Sequence, residues 1–139
     1  MRAVFVDTSA FVALRNESER EHESARRARA DLVSENVRLL TSNYVFGETY
    51  TVLTRRLGWS EAIEWGRGFR ASPAIELVRA DEEIEEDAWS ILETHRDKTW
   101  SYVDATSFAL MDREGASEAF AFDRHFIQRG LNVIPLLDR

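Results

Sequence analysis

The chain of 139 residues contains no cysteine. Disulfides, zinc ribbons and thiol nucleophiles are therefore excluded. Lys98 is its one lysine, so the other strongly basic side chains are all arginines. No apolar run approaches the roughly 18 residues of a membrane span. The N-terminus lacks a basic segment, a long apolar core and a small-residue cleavage site, so no secretory signal is visible. These absences predict a cytoplasmic protein with no membrane partner. A Gly-rich phosphate loop and a G-x-S-x-G elbow are also missing, which removes two common routes to phosphate and acyl chemistry. With no repeat, low-complexity tract or linker, one domain spanning 1–139 is expected.

What is present is acidic: net charge is −7 and the pI about 5.0. Taken alone, that argues against an indiscriminate nucleic-acid binder. Six of those acids sit in the run Asp81–Asp87, and without them the rest is close to neutral. Arginines gather elsewhere, at Arg15, Arg20, Arg26, Arg27, Arg29, Arg55, Arg56, Arg67 and Arg70. Arginine forks onto phosphate, but interleaved acids such as Glu17, Glu19, Glu21 and Glu23 equally suit a solvated surface. The four tryptophans are expected in packing or dimer contacts before base stacking.

Apolar periodicity orders the chain into alternating strands and helices. Ala3 to Val6 predicts a strand buried on both faces, with a helix following at once. A helix over His22 to Val33, a strand over Val37 to Thr41 and a strong helix from Asn43 to Gly58 come next. Ser60 is a candidate cap for a further helix, and Ile75 to Val78 a third strand. Asp81 opens another helix, and Ser101 opens one that runs to Gly115. Ala119 to Phe122, then Val133 to Leu136, are the last strands, flanking a short helix from Asp123 to Gln128. Such alternation predicts an α/β protein with a mostly parallel sheet covered on both sides.

Four acids fall where a shared site needs them. Asp7 and Asp123 follow the first and fourth strands, where open α/β sheets bind ligands. Glu48 shares a helix face with Val45 and Val52, an unusual place for an unpaired acid. Asp104 precedes Phe108 by one turn on the next apolar face. Each has a purely structural alternative. Asp7 can cap a helix, Ser101 and Asp104 have capping-box spacing, and Glu48 can snorkel to water. Together, ionised carboxylates in one pocket require a cation. Oxygen ligands suit Mg²⁺ or Mn²⁺, which can activate water for displacement at phosphorus.

Asp7-Thr8-Ser9, Glu48, Ser101-Tyr102-Val103-Asp104-Ala105 and Phe122-Asp123-Arg124-His125-Phe126 resemble the acidic positions of PIN-domain nucleases. Their order and spacing are most similar to those of the VapC toxins of toxin–antitoxin pairs. The resemblance implies a three-layer α/β/α sandwich with sheet order 3-2-1-4-5. It further implies a Mg²⁺-dependent endoribonuclease acting through metal-activated water, a homodimer and a cognate antitoxin. On that pattern Asp7, Asp104 and Asp123 would be metal ligands, and Glu48 would orient water or help hold a second cation. Thr8 or Ser9 would supply donors beside the metal, with Ser101 as a further support. His125 reads as structural rather than as a general acid.

Other readings fit less well. A receiver-type phosphoacceptor domain needs a lysine near its last strand, and Lys98 is not there. An aspartate-nucleophile phosphatase needs a second aspartate where Ser9 stands. The rival from a different class is a catalytically inactive PIN-like module that binds RNA or protein.

Overall fold

The computed structural model describes residues 1–137. Five strands and seven helices alternate along these residues. In chain order they are β1 (Ala3–Val6), α1 (Thr8–Arg15), α2 (His22–Ser34), β2 (Arg38–Ser42), α3 (Asn43–Leu57), α4 (Trp59–Ala71) and β3 (Glu76–Val78). Then come α5 (Glu82–Thr94), α6 (Tyr102–Glu114), β4 (Glu118–Phe120), α7 (His125–Gln128) and β5 (Asn132–Ile134). The sheet has the order β3-β2-β1-β4-β5, and every pairing is parallel. The parallel sheet predicted from the alternation forms, in the three-layer α/β/α arrangement and strand order that the resemblance implies.

β1 lies at the centre because Val4, Phe5 and Val6 have almost no exposed surface. A strand buried on both faces cannot sit at an edge without wasting its apolar area. Phe108, Leu110, Met111, Phe120 and Phe126 pack in the same core. Helix α6 is buried from Asp104 through Met111. That explains why its apolar stripe is weakly marked in sequence: Thr106 and Ser107 are inside too. Their hydroxyls donate to Val103 O at 2.7 and 3.0 Å, which makes burial tolerable.

Several boundaries differ from the sequence expectation. β4 ends at Phe120, two residues early, because its register with β1 stops at the Val6–Phe120 pair. The next amides turn elsewhere: Ala121 N donates to Ile134 O, and Phe122 N to Ser9 Oγ. β5 stops at Ile134, since Pro135 brings no N–H to a ladder. Asp123 lies outside α7, which begins at His125. Ser60 does not cap α4. Gly58, at φ +92°, closes α3 and opens α4 directly, so Ser60 falls within the helix. Of the tryptophans, Trp65 and Trp100 pack as expected, whereas Trp59 and Trp89 stay 65% and 55% exposed.

Candidate active site

Parallel pairing of neighbouring β1 and β4 puts their carboxyl ends side by side. Asp7 is the first residue beyond β1, and its N–H still donates to Phe120 O at 3.0 Å. Its side chain caps α1. Oδ2 accepts from Ser9 N at 3.1 Å and from Ser9 Oγ at 2.7 Å. The same Ser9 Oγ accepts from Phe122 N at 2.9 Å. One hydroxyl thus ties Asp7 to the segment that carries Asp123.

Asp104 and Ser101 form the capping box that their spacing predicts. Asp104 N donates to Ser101 Oγ and Ser101 N to Asp104 Oδ2, each at 3.0 Å. His125 Nδ1 lies 2.7 Å from that same Oδ2 and 3.3 Å from Asp123 Oδ1. Asp123 Oδ1 also accepts the His125 backbone N–H at 2.9 Å. The ligand atoms of Asp104, Asp123 and His125 all lie within 4.8 Å of one another. Asp7 lines the same pocket but stands outside this tightest group.

Helix α3 brings the fourth acid. Ser42 caps it, accepting from Val45 N, and Val45, Thr49 and Leu53 form its buried side. Glu48 is half-buried at the edge of that side. Thr49 Oγ1 donates to Thr8 Oγ1 at 3.2 Å, fastening α3 to the start of α1. Asp7, Thr8, Ser9, Glu48, Ser101, Asp104 and Asp123 therefore line one pocket of about 380 Å³, so all seven residues singled out in the sequence come together.

Three other charged wall residues carry a weaker signal in the sequence. Glu19 and Glu21, in the loop after α1, read as ordinary surface acids, and Arg56 as one of several arginines, with Arg26, Arg27 and Arg55, that could meet phosphate. The one available signal was their position, on the loop that leaves the Asp7-capped helix and on the Glu48 helix. The ring of His125, expected to be structural, lies against the acidic group.

Electrostatics show the crowding. Burial pushes the Asp7 carboxyl up to about 7, although the Ser9 hydrogen bonds oppose this; the charges of Asp104 and Asp123 push it further. Glu48 is likewise raised by burial, with the Thr8 hydroxyl opposing and Asp104 and Asp123 adding repulsion. A cation among these groups would remove the penalty for ionising them.

The acceptor pattern fits such a cation. In Asp7 and Asp104 the protein's donors fall on Oδ2, and in Asp123 they fall on Oδ1. Each aspartate is thus oriented through one of its two oxygens. Among the described residues no buried side-chain nitrogen or oxygen lacks a hydrogen-bond partner. Carboxylate oxygens with one imidazole suit a hard or borderline divalent ion.

The PIN domain family profile matches residues 4–130. Across 127 residues the chain is 39% identical to the 23S rRNA-specific endonuclease VapC20 of Mycobacterium tuberculosis, covering 91% of this chain and 94% of that protein. The crystal structure of that organism's VapC20, a sarcin–ricin loop-cleaving toxin, matches with a TM-score of 0.85 at 38% identity. It covers 92% of this chain and 95% of its own. A toxin–antitoxin complex from Klebsiella pneumoniae matches at TM-score 0.67 and 14% identity, over 98% of this chain and 99% of that one, and so shares the fold.

Proposed function

This chain belongs to the PIN-domain family and, within it, to the VapC toxins, and on that premise we propose that it is a Mg²⁺-dependent endoribonuclease that cuts 23S rRNA in its sarcin–ricin loop. One observation carries the reading. Asp7, Glu48, Asp104 and Asp123 converge on a single pocket at the carboxyl edge of the sheet. The substrate rests on the 39% identity to VapC20. An acidic protein also needs a substrate read by shape and local chemistry rather than by bulk charge, and RNA loops are read that way.

Asp7, Asp104 and Asp123 would hold the cation, Mg²⁺ with Mn²⁺ as substitute. A divalent ion there supplies a Lewis acid for the phosphoryl oxygen and lowers the pKa of water. Glu48, its proton affinity raised by burial, takes a proton from the attacking water. The water oxygen bonds to phosphorus as the bond to the leaving ribose oxygen breaks, and that oxygen takes a proton from solvent. Ser9 fixes the Asp7 carboxylate, Ser101 and His125 fix that of Asp104, and Thr8 supports Glu48.

As a toxin the chain works as a cytoplasmic homodimer held in check by a cognate antitoxin that occupies the groove. Among the described residues no helix is long and apolar enough to cross a membrane. The test is incubation of the purified protein with ribosomes and with naked ribosomal RNA, in Mg²⁺, Mn²⁺ or EDTA, beside Asp7→Asn. A discrete cut in 23S rRNA that disappears with EDTA and with the variant is the expected result. Folded, antitoxin-free protein that cuts nothing would instead be a binding module.

A further inference from the structure

Six carboxylates line the pocket: Asp7, Glu19, Glu21, Glu48, Asp104 and Asp123. A bound divalent cation offsets only part of that charge, yet the proposed substrate is a polyanion. Among the described lining residues the single Arg or Lys is Arg56. Its placement is specific. Glu48, Val52 and Arg56 follow one another at intervals of four on α3, and all three line the pocket. That spacing forms one stripe along a helix. Arg56 thus stands two turns beyond Glu48, about 12 Å along the axis. It is too far to act on the scissile phosphate and well set to meet a neighbouring one.

Arg56 is also held. Its Nη1 pairs with Glu19 Oε1, which joins the end of α3 to the loop after α1. The guanidinium is half exposed, at 53%, and such ion pairs contribute little because water screens them. A phosphate offers the same planar fork two charged oxygens and a stronger, charge-assisted contact. Exchange of Glu19 for phosphate is therefore easy, and it removes one cation from a carboxylate just as the RNA arrives.

We propose that Arg56 grips a phosphate of the RNA strand beside the scissile bond, and that Glu19 holds the guanidinium at the pocket rim until the RNA displaces it. This deepens the nuclease reading and rests on it for the identity of the ligand. Arg56 sets substrate affinity; the acids set the chemistry.

The test uses the full chain and a synthetic hairpin with the sarcin–ricin loop sequence. Binding is followed by fluorescence anisotropy across a salt series, in the non-cutting Asp7→Asn background, and cleavage with Asp7 intact. Arg56→Ala is expected to weaken binding about tenfold and to reduce the salt slope by about one. In cleavage, KM rises by a similar factor while kcat holds. Arg56→Lys, which keeps the charge, restores the slope and part of the affinity. Glu19→Gln tightens binding severalfold, and that gain disappears when Arg56→Ala is also present. Mn²⁺ affinity by calorimetry is the same in every Arg56 variant.

An unchanged slope and KM in Arg56→Ala overturns the proposal, as does a loss matched by weaker Mn²⁺ binding. If Glu19→Gln tightens binding equally without Arg56, Glu19 acts by its own charge and the holding role is wrong. The two readings fail separately. Arg56-dependent binding without any cutting by the wild type would sink the nuclease reading and leave this one. Normal cutting with no dependence on Arg56 would do the reverse. Failure of the wild type to bind the hairpin overturns both.

Discussion

The imidazole of His125 reaches across 21 residues of sequence to lie 2.7 Å from Asp104 Oδ2, on the oxygen that also accepts the Ser101 amide. With Nδ1 donating, it orients a carboxylate that is proposed to hold the cation. His125 also stands 3.3 Å from Asp123 Oδ1, so the ring touches both acids of the tightest group.

His125→Ala is accordingly expected to weaken Mn²⁺ or Mg²⁺ binding by about 10- to 100-fold, the usual cost of losing a group that orients a metal ligand. The fold should persist, because the ring is only partly buried. Isothermal calorimetry measures the affinity, and circular dichroism checks the fold. An unchanged affinity would return His125 to a structural role.

Asp7 links the site to stability. Its carboxyl has a pKa near 3.8 when unfolded and about 7 in the metal-free folded chain. The folded form thus binds this proton more tightly. The resulting stability is complete below pH 3.8 and is lost as pH rises through 7. Asn at this position accepts the Ser9 donors without carrying charge. Asp7→Asn should therefore stabilise the metal-free protein at pH 8, by about 2 kcal/mol given the usual cost of a buried carboxylate, and have little effect near pH 4. The same variant should lower cleavage about a hundredfold or more. Thermal melts at the two pH values, with EDTA present, decide the first point; equal shifts at both would mean that Asp7 is ionised at little cost.

How much of this could be read in the sequence depends on what fixes each feature. Strand β1 and helix α3 were legible because continuous burial and strong four-residue periodicity are local signals. Ser101 and Asp104 were legible as a capping box for the same reason. The end of β4 was not, since it is set by register with β1 and by the Ser9 hydroxyl, more than a hundred residues away. Glu19 was lost among similar surface charges, and Arg56 stood out only as one of several arginines that could meet phosphate: their pairing depends on where the loop after α1 folds against α3. The four acids were found because chain position alone puts them at strand ends and on helix faces. The oxygen that each aspartate engages is set mainly by bonds to residues two or three positions away, and only the His125 contact to Asp104 is tertiary.

Ser9 holds three things at once: it donates its hydroxyl and its amide to Asp7 and accepts the Phe122 amide. Ser9→Ala removes the hydroxyl and leaves the Phe122 N–H without its acceptor. A loss of about 1–2 kcal/mol in stability is expected. Because the hydroxyl is the largest influence lowering the Asp7 pKa, its removal raises that pKa further. Metal must then displace a more firmly held proton, so divalent-ion affinity at pH 7 should fall and recover at higher pH. Calorimetry at pH 7 and pH 8.5 checks this; a pH-independent loss would point to a disturbed site geometry instead.

Ser101→Ala separates support of the helix from support of the ligand. The hydroxyl caps α6 by accepting Asp104 N, and its loss should cost about 1 kcal/mol, as for other caps of this type. The Asp104 carboxylate, however, is held by the Ser101 backbone amide and by His125, neither of which the substitution removes. Stability should therefore drop while Mn²⁺ affinity stays within about twofold of wild type, a change too small to reflect a lost orienting bond. Denaturant unfolding and calorimetry on the same preparation give both numbers. A fall in metal affinity as large as that of His125→Ala would mean that the helix cap, and not the imidazole, sets the position of the Asp104 carboxylate.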